Sequence, residues 1–305
     1  MIEIMKPSVF TAKLDLGLAP KLEEDLKNLG FEISKPIHTL FSAKKKGVVC
    51  TLYESGSLVV QGKEKDEFIE FYLEPEILGA FKYTHPSADL DTTAHIGLDE
   101  AGKGDFFGPL CICALFADAA GIGKLQEMGV KDSKRFSDES ILKLARKIRA
   151  AYSYTVIRLF PSKYNELYAR FKNLNRLLAW AHASALGDLS QKTGCKKAIL
   201  DQFAEKHVVE SALKQKRIEV ALEQRVRGEE DPVVAAASIL ARAAFLEGLE
   251  TLSKEIGFEL PKGASAKVLS AGVKLVAQKG PDVLDKVAKT HFKTKGEILA
   301  RAPKD

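Results

Sequence analysis

Apolar and polar positions alternate with period two where the chain begins its first element, then shift to helical spacing. VFTAKLDL, Val9 to Leu16, alternates as a half-buried strand does. APKLEEDLKNLG, Ala19 to Gly30, sets Leu22, Leu26 and Leu29 on one face of a helix that Gly30 stops. Three short alternating runs follow, HTLFSAKKK, GVVCTLYES and GSLVVQGK, with hairpin breaks near Lys46-Gly47 and Ser55-Gly56. DEFIEFYLEPEILGAF reads as a helix that Pro75 breaks or kinks. The polar run YTHPSADLDTTAH then marks a linker at about residues 83–93, with a boundary near Pro86. Two domains are expected, residues 1–85 and 86–305.

The second segment mixes strands and helices. One strand ends in IGLDEAGKGD, and GPLCICALFA forms a second. Ser137 to Ala151 is a helix opened by a capping box from Ser137 to Ser140, with acids in its first turn. SYTVIRLF is a third strand, Asn173 to Lys192 a long helix capped by an asparagine, and KKAILDQF a short buried strand. KRIEVALEQ reads as a further strand, and Asp231 to Lys254 as a long helix with Pro232 at its start. Strands interleaved with helices after two adjacent strands give an α/β fold, a mixed sheet with helices packed on it. That order alone fits several α/β folds and names no function.

Composition narrows the class. With 305 residues, 46% apolar and 29% charged, the chain can build a large core and a well-solvated surface. No run reaches the ~20 consecutive apolar residues of a membrane span, and MIEIMKPSVFTAKLD lacks the apolar centre of a signal peptide. Cys50, Cys111, Cys113 and Cys195 form no C-x-x-C pair, as expected in a reducing cytoplasm. Charge is uneven: residues 1–85 hold 11 Lys and Arg against 13 Asp and Glu, and the remainder 35 against 28. A basic large domain suits a polyanionic partner. Nothing demands more than a monomer.

The chemistry concentrates in GLDEAGKGDFFGP, Gly97 to Pro109. Asp99 and Glu100 end an apolar strand, where open α/β sheets place ligands. The small residues Ala101, Gly102 and Gly104 let a polymer backbone approach the main chain. A phosphate-binding loop is excluded because Gly104 stands where a metal-binding hydroxyl is required, and a dinucleotide fingerprint because the glycine spacing is wrong. A solvated Gly-rich turn remains the plain alternative. Further acids weigh against it. Asp201 ends the strand ILDQF, and Glu229, Glu230 and Asp231 precede the long helix. Asp201 can equally cap a helix, and the acidic triplet can serve a helix N-terminus. Together these acids offer four carboxylates from separate segments, the oxygen-rich set that hard cations such as Mg²⁺ require. His182 and His291 read as helix-face or surface histidines, because a two-metal site needs no histidine base.

DEAGKGDFFGPL resembles the opening motif of the type-two ribonucleases H, and Asp132-Ser133-Lys134 their second motif. RGE followed by VVAAASILAR resembles their third and fourth. NLNRLLAWAHA, ILDQFAE, a glutamate as fourth acid and the N-terminal extension are similar to the ribonuclease HIII branch. Arg227 departs from the usual lysine. The resemblance implies a ribonuclease H-like mixed sheet flanked by helices, preceded by a small α+β TATA-binding-protein-like domain that binds substrate. It implies an endonuclease acting on the RNA strand of RNA–DNA hybrids with two Mg²⁺ or Mn²⁺ ions held by Asp99, Glu100, Asp201 and Glu229, with the choice among Glu229, Glu230 and Asp231 open. Gly102, Lys103 and Gly104 would touch the RNA strand, whose 2′-hydroxyl distinguishes it from DNA. Ser133 and Lys134 would contact phosphate, with helix capping as the alternative for Ser133. Lys44, Lys45 and Lys46, with Phe41 and Tyr53 nearby, would hold a nucleic-acid backbone; a solvated turn explains them equally. The rivals are cleavage at single embedded ribonucleotides, as in ribonuclease HII, a non-catalytic nucleic-acid-binding protein, and a DNA endonuclease or resolvase on the same fold. No tyrosine follows Tyr168, which argues against the first rival.

Overall fold

The alternation that begins at Val9 builds a strand, β1 (Val9–Lys13), and the leucine spacing after it builds α1 (Ala19–Asn28), whose Leu22 and Leu26 are fully buried. The computed structural model describes residues 9–79, 91–130 and 136–303. The chain divides into two units, Met1–Asp91 and Thr92–Asp305.

In the first unit the short alternating runs become β2 (Glu32–Ser34), β3 (Thr39–Lys45), β4 (Val48–Tyr53) and β5 (Ser57–Gln61). They pair antiparallel in the order β1-β5-β4-β3-β2, and their buried face carries Phe41, Ala43, Cys50, Leu52, Leu58 and Val60. The expected Pro75 break takes a particular form. A single turn, α2 (Lys65–Phe68), continues as a π-helix from Ile69 to Leu78 that contains Pro75 and ends at Gly79. Proline lacks the N–H that an α-helical ladder would use, and wider turns accommodate the gap.

The second unit is a mixed sheet of β6 (His95–Ala101), β7 (Leu110–Ala117), β8 (Ser153–Leu159), β9 (Lys197–Asp201) and β10 (Ala221–Arg225), in the order β10-β9-β6-β7-β8. β6, β7 and β8 pair antiparallel, whereas β9 lies parallel to β6 and β10 parallel to β9. The helices are α3 (Ala119–Glu127), α4 (Asp138–Ala151), α5 (Pro161–Phe171), α6 (Leu174–Thr193), α7 (Lys206–Gln215), α8 (Pro232–Ile256), α9 (Ala266–Lys279), α10 (Val283–Val287) and α11 (Lys293–Arg301). α5, α6 and α7 cover one sheet face, where Ile96, Leu98, Ile112 and Leu200 point. α8 covers the other, packed against β6 and β7.

Three details depart from the sequence reading. α3 and α5 appear where no separate helix was expected; Gly121 and Gly123 mask the first, and Pro161 at its first turn starts the second. The strand expected from Lys216 begins only at Ala221. Arg217 takes the left-handed conformation at φ 55°, and the amides of Arg217 and Ile218 bond back to Lys214 and Leu213, closing α7 in a Schellman motif without glycine. Finally, α8 is long and apolar enough by length and mean hydropathy to cross a bilayer, a feature that the count of consecutive apolar residues does not flag because Ser238, Arg242 and Glu247 interrupt the run. Most of its apolar stretch is packed inside the unit, as the core helix of an α/β domain requires.

Candidate active site

Strand pleat and sheet register bring the first acids together. Side chains alternate across β6, so Leu98 faces the α6 layer, Asp99 the α8 layer and Glu100 the α6 layer again. Leu98 is paired with Leu200 in the parallel β6–β9 ladder, which puts Asp99 and Asp201 at the same level on neighbouring strand ends. Asp201 is in turn paired with Arg225 of β10. The chain leaves β10 and turns through Gly228–Glu230, where the Gly228 amide donates to Asp201 Oδ1 at 2.8 Å. That bond ties the turn carrying Glu229, which is half-buried, to the end of β9.

Each carboxyl sits in a different field. Asp99 Oδ1 accepts from the Glu100 amide at 2.7 Å, and the Asp99 carboxyl also accepts from the Ser238 hydroxyl. Burial, followed by the charge of Glu100 and then that of Asp201, nevertheless pushes Asp99 up to about 7. Burial also acts to raise Glu100, but hydrogen bonds and charge from His182 and Lys103 outweigh it and hold Glu100 below its ordinary value. His182 Nε2 donates to Glu100 Oε2 at 3.0 Å, and Lys103 Nζ lies 3.6 Å from Oε1. The His182 ring stacks on Phe203 with centroids 5.0 Å apart, and Lys103 lies 5.5 Å from the same ring.

The acidic triplet separates into three roles. Glu230 is exposed, 3.8 Å from Arg227. Asp231 is buried as the N-cap of α8, its Oδ1 accepting from the amides of Val233 at 2.8 Å and Val234 at 3.1 Å. The same oxygen accepts from Nε2 of the fully buried His95, whose Nδ1 faces the Thr93 carbonyl at 2.6 Å. Both ring nitrogens face oxygen atoms, so hydrogen bonds hold the ring from two sides. Asp231 is thereby committed to the helix and to His95. Asp231→Ala removes a cap worth about 1 kcal/mol and leaves a buried donor unpaired at about 1–3 kcal/mol. The expected loss in urea unfolding is about 2–4 kcal/mol; a loss below about 0.5 kcal/mol, the range of ordinary surface changes, would show that the cap and pair do not stabilise the fold.

The glycine-rich turn lies at the mouth of the site. Gly102 has φ 87°, and a side chain there would strike the Pro109 carbonyl, so only glycine permits this path. Glu100, Gly102, Asp105, Ser238, Arg242 and Lys262 line a cleft of about 270 Å³ beside it. Arg242 donates to Asp138 at 2.9 Å, and Lys262 pairs with the same carboxylate.

The structure thus gathers Asp99, Glu100 and Asp201, with Glu229 on the adjoining turn, and sets Gly102, Lys103 and Gly104 beside them. It does not close them round one point: among the described residues no three His, Cys, Asp or Glu side chains form a ready metal cluster. Glu100 is turned to His182 and Asp201 to the Gly228 amide. The donor set still fits a hard divalent cation, being oxygen-rich and containing one carboxyl that its neighbours' negative charge destabilises. Ser133 and Lys134 lie outside the described residues. In the first unit, Lys44, Lys45, Lys46 and Lys63 line a cleft of about 790 Å³. Phe41 is only 2% exposed and belongs to the core, so it is not available beside the lysines; Tyr53 is exposed.

Four residues escaped sequence reasoning: Ser238, Arg242, Lys262 and His95. His182 was read as a helix-face or surface histidine; it does lie on the face of α6, but buried and bonded to Glu100. The available signal was its place among Leu177, Leu178, Ala181, Ala185 and Leu186, the apolar face of α6. His291 is half-buried and stacks on Tyr168 with centroids 4.3 Å apart.

Comparison with known proteins adds to this geometry. A family model described as ribonuclease HII matches residues 96–295, and one described as a domain of unknown function matches residues 10–84. Ribonuclease HIII of Protochlamydia amoebophila is 53% identical over 295 residues, covering 97% of this chain and 98% of its own. Ribonuclease HIII of Chlamydia muridarum is 49% identical over 299 residues, covering 97% and 99%. Among solved structures, Bst-RNase HIII in complex with Mn²⁺ matches with a TM-score of 0.68 at 29% identity, covering 97% of this chain and 99% of that one.

Proposed function

The chain belongs to the ribonuclease HIII family, and on that premise we propose that it hydrolyses the RNA strand of RNA–DNA hybrids as a metal-dependent endonuclease. One observation carries the reading: Asp99, crowded by Glu100 and Asp201 at two parallel strand ends, sits beside a turn with glycines at 102 and 104. In this reading Asp99, Glu100, Asp201 and Glu229 hold two divalent ions, Mg²⁺ or Mn²⁺. The Mn²⁺ in the Bst-RNase HIII structure supports a divalent ion. Glu229 is preferred to Glu230, which is exposed, and to Asp231, which caps α8. When bound, the ions supply Lewis acidity at the phosphate and its attacking and leaving oxygens.

The chain's own groups do the rest. The main chain at Gly102 and Gly104 approaches the RNA strand and meets its 2′-hydroxyl. Lys103, Arg242 and Lys262 place positive charge where phosphates pass, and Ser133 and Lys134 are assigned to the same task. Ser238 orients Asp99, and His182 fixes one oxygen of Glu100. A water oxygen bonds to phosphorus as the P–O3′ bond breaks. The water's proton leaves to solvent and the 3′-oxygen takes one up, giving 5′-phosphate and 3′-hydroxyl ends. The first domain, residues 1–85 with a linker at about 83–93, serves as a TATA-binding-protein-like module in which Lys44, Lys45 and Lys46 hold the substrate backbone. Residues 86–305 form the catalytic domain. The four unpaired cysteines support a cytoplasmic setting.

The direct test is an end-labelled 12-ribonucleotide RNA–DNA hybrid incubated with Mg²⁺ or Mn²⁺. Cuts at several internal positions with 5′-phosphate products are expected. No cutting with either ion would reduce the protein to a hybrid-binding scaffold. Equally efficient cutting of a duplex with one embedded ribonucleotide would favour a ribonuclease HII-like specificity.

A further inference from the structure

Lys289 is fully buried, yet it follows α10 beside an apolar cluster of the second unit that includes Phe106, Phe107, Val287 and Ala288. Its partners are not carboxylates. Nζ donates to the Gly108 carbonyl at 2.6 Å and, at a longer 3.4 Å, to that of Phe107, and it lies 5.8 Å from the centre of the Tyr164 ring. Burying an ammonium without a paired carboxylate is unfavourable. Burial indeed pushes Lys289 down to about 8, against the opposing charge of Asp105. An apolar side chain would fill the same space without that penalty, so the ammonium's value lies in what it holds.

What it holds is the exit of the glycine-rich turn. The segment around Lys289 runs along residues 106–108: the Lys289 amide donates to the Phe106 carbonyl at 2.8 Å, the Gly108 amide to the Val287 carbonyl at 3.0 Å, and Phe107 bridges Ala288. On its other side Asn165 of α5 clamps the segment, donating to the Ala288 carbonyl and accepting from the Thr290 amide, both at 3.0 Å. The turn's entry is held as well. The Asp105 amide donates to the Gly102 carbonyl, and Asp105 Oδ1 accepts from the Gly263 amide at 2.6 Å. Among the described residues no backbone amide is recorded on the carbonyls of Phe107 and Gly108, and the Lys289 ammonium reaches both.

We infer that Lys289 is a positioning residue for substrate: by holding the Phe107 and Gly108 carbonyls it fixes the Gly102–Gly104 main chain against the RNA strand. This rests on the assignment of that turn to the RNA strand made above. A group that shapes a binding surface without touching the reacting atoms changes substrate affinity more than turnover.

The test compares Lys289→Met and Gly104→Ala with wild type in steady-state cleavage of the 12-ribonucleotide hybrid, alongside thermal unfolding. A side chain on Gly104 meets nothing within 4 Å, so that variant perturbs only the surface offered to substrate. Lys289→Gln, which keeps a neutral donor, is expected to fall between Met and wild type, and it carries the test if the Met variant does not fold. The expected result is a KM raised about tenfold in both Lys289→Met and Gly104→Ala, with kcat within about twofold. If Gly104→Ala raises KM and folded Lys289 variants leave it unchanged, the turn reads the RNA strand but Lys289 is only structural, and the inference is overturned. If Gly104→Ala leaves KM unchanged, the assignment of the turn fails, and the inference falls with it whatever Lys289→Met does.

Discussion

Asp99→Asn is expected to abolish cleavage and, in the metal-free protein, to raise stability. Burial and the charges of Glu100 and Asp201 lift this carboxyl from 3.8 to about 7. A carboxyl whose folded value lies above its unfolded one binds its proton more tightly in the folded state. Folding is then unpenalised below the unfolded value; stability falls as pH rises from there and is lowest above about 7. At pH 8 the penalty is on the order of 2–4 kcal/mol. Asparagine keeps the shape and an acceptor for the Glu100 amide and Ser238 hydroxyl, but carries no charge. The variant should therefore resist urea more than wild type at pH 8 without metal, and the difference should shrink toward pH 4. Activity moves the opposite way. A ligand whose loss removes an ion's stabilisation of the transition state costs several kcal/mol, so the rate should fall by about 10³-fold or more. A variant that cleaves within tenfold of wild type would remove Asp99 from the metal site. Equal stability at pH 8 would show that neither burial nor the neighbouring acids penalise the Asp99 charge.

The sequence made the site's outline readable because its chemistry is compressed into short runs. Asp99, Glu100 and the glycines stand within six residues, and the strand-end positions of Asp99 and Asp201 follow from apolar runs that stop at an acid. The β6–β9 register then needed only the parallel pairing of two such strands to bring these acids level. What remained hidden depends on contacts between segments far apart in sequence. Ser238 reaches Asp99 from the second turn of α8, and His182 reaches Glu100 from α6, 82 residues away. Glu229, Glu230 and Asp231 look equivalent as letters. They are separated by surroundings: Glu230 is exposed, while Asp231 caps α8 and is bonded to the buried His95, 136 residues upstream. The fold shows the same division. Alternation and leucine spacing located β1, α1 and the sheet strands, whereas the end of α7 was misjudged because an arginine fills the left-handed position where glycine is the usual signal.

Gly97→Ala is expected to damage the fold severely. Gly97 sits mid-strand in β6 on the face turned to α8, one residue before Leu98 and two before Asp99. A methyl group there would lie 2.4 Å from the carbonyl carbon of Val233 and from the amide nitrogen of Val234, and 2.7 Å from the Val233 oxygen. These are backbone atoms in the first turn of a long buried helix, so no side-chain rotation relieves the overlap. Either β6 or the whole start of α8 must move. Overpacking of this kind costs about 3 kcal/mol or more, which for a domain of this size lowers the unfolding midpoint by roughly 6–12 °C. The displacement also bears on the site. The start of α8 follows directly on the Gly228–Glu230 turn, and Asp231 ties it to His95 at the head of β6. Pushing α8 away from β6 therefore draws Glu229 away from Asp99. Residual folded Gly97→Ala should bind Mn²⁺ at least tenfold more weakly than wild type, a loss of about 1.4 kcal/mol. Gly123→Ala in α3 is the matching control, because nothing lies within 4 Å of the added methyl. There the same chemical change should raise stability by about 0.5–1 kcal/mol, as alanine does inside a helix. A Gly97→Ala protein that melts within 2 °C of wild type, or that holds Mn²⁺ as tightly, would mean that the approach of α8 to β6 does not set the geometry of the acids.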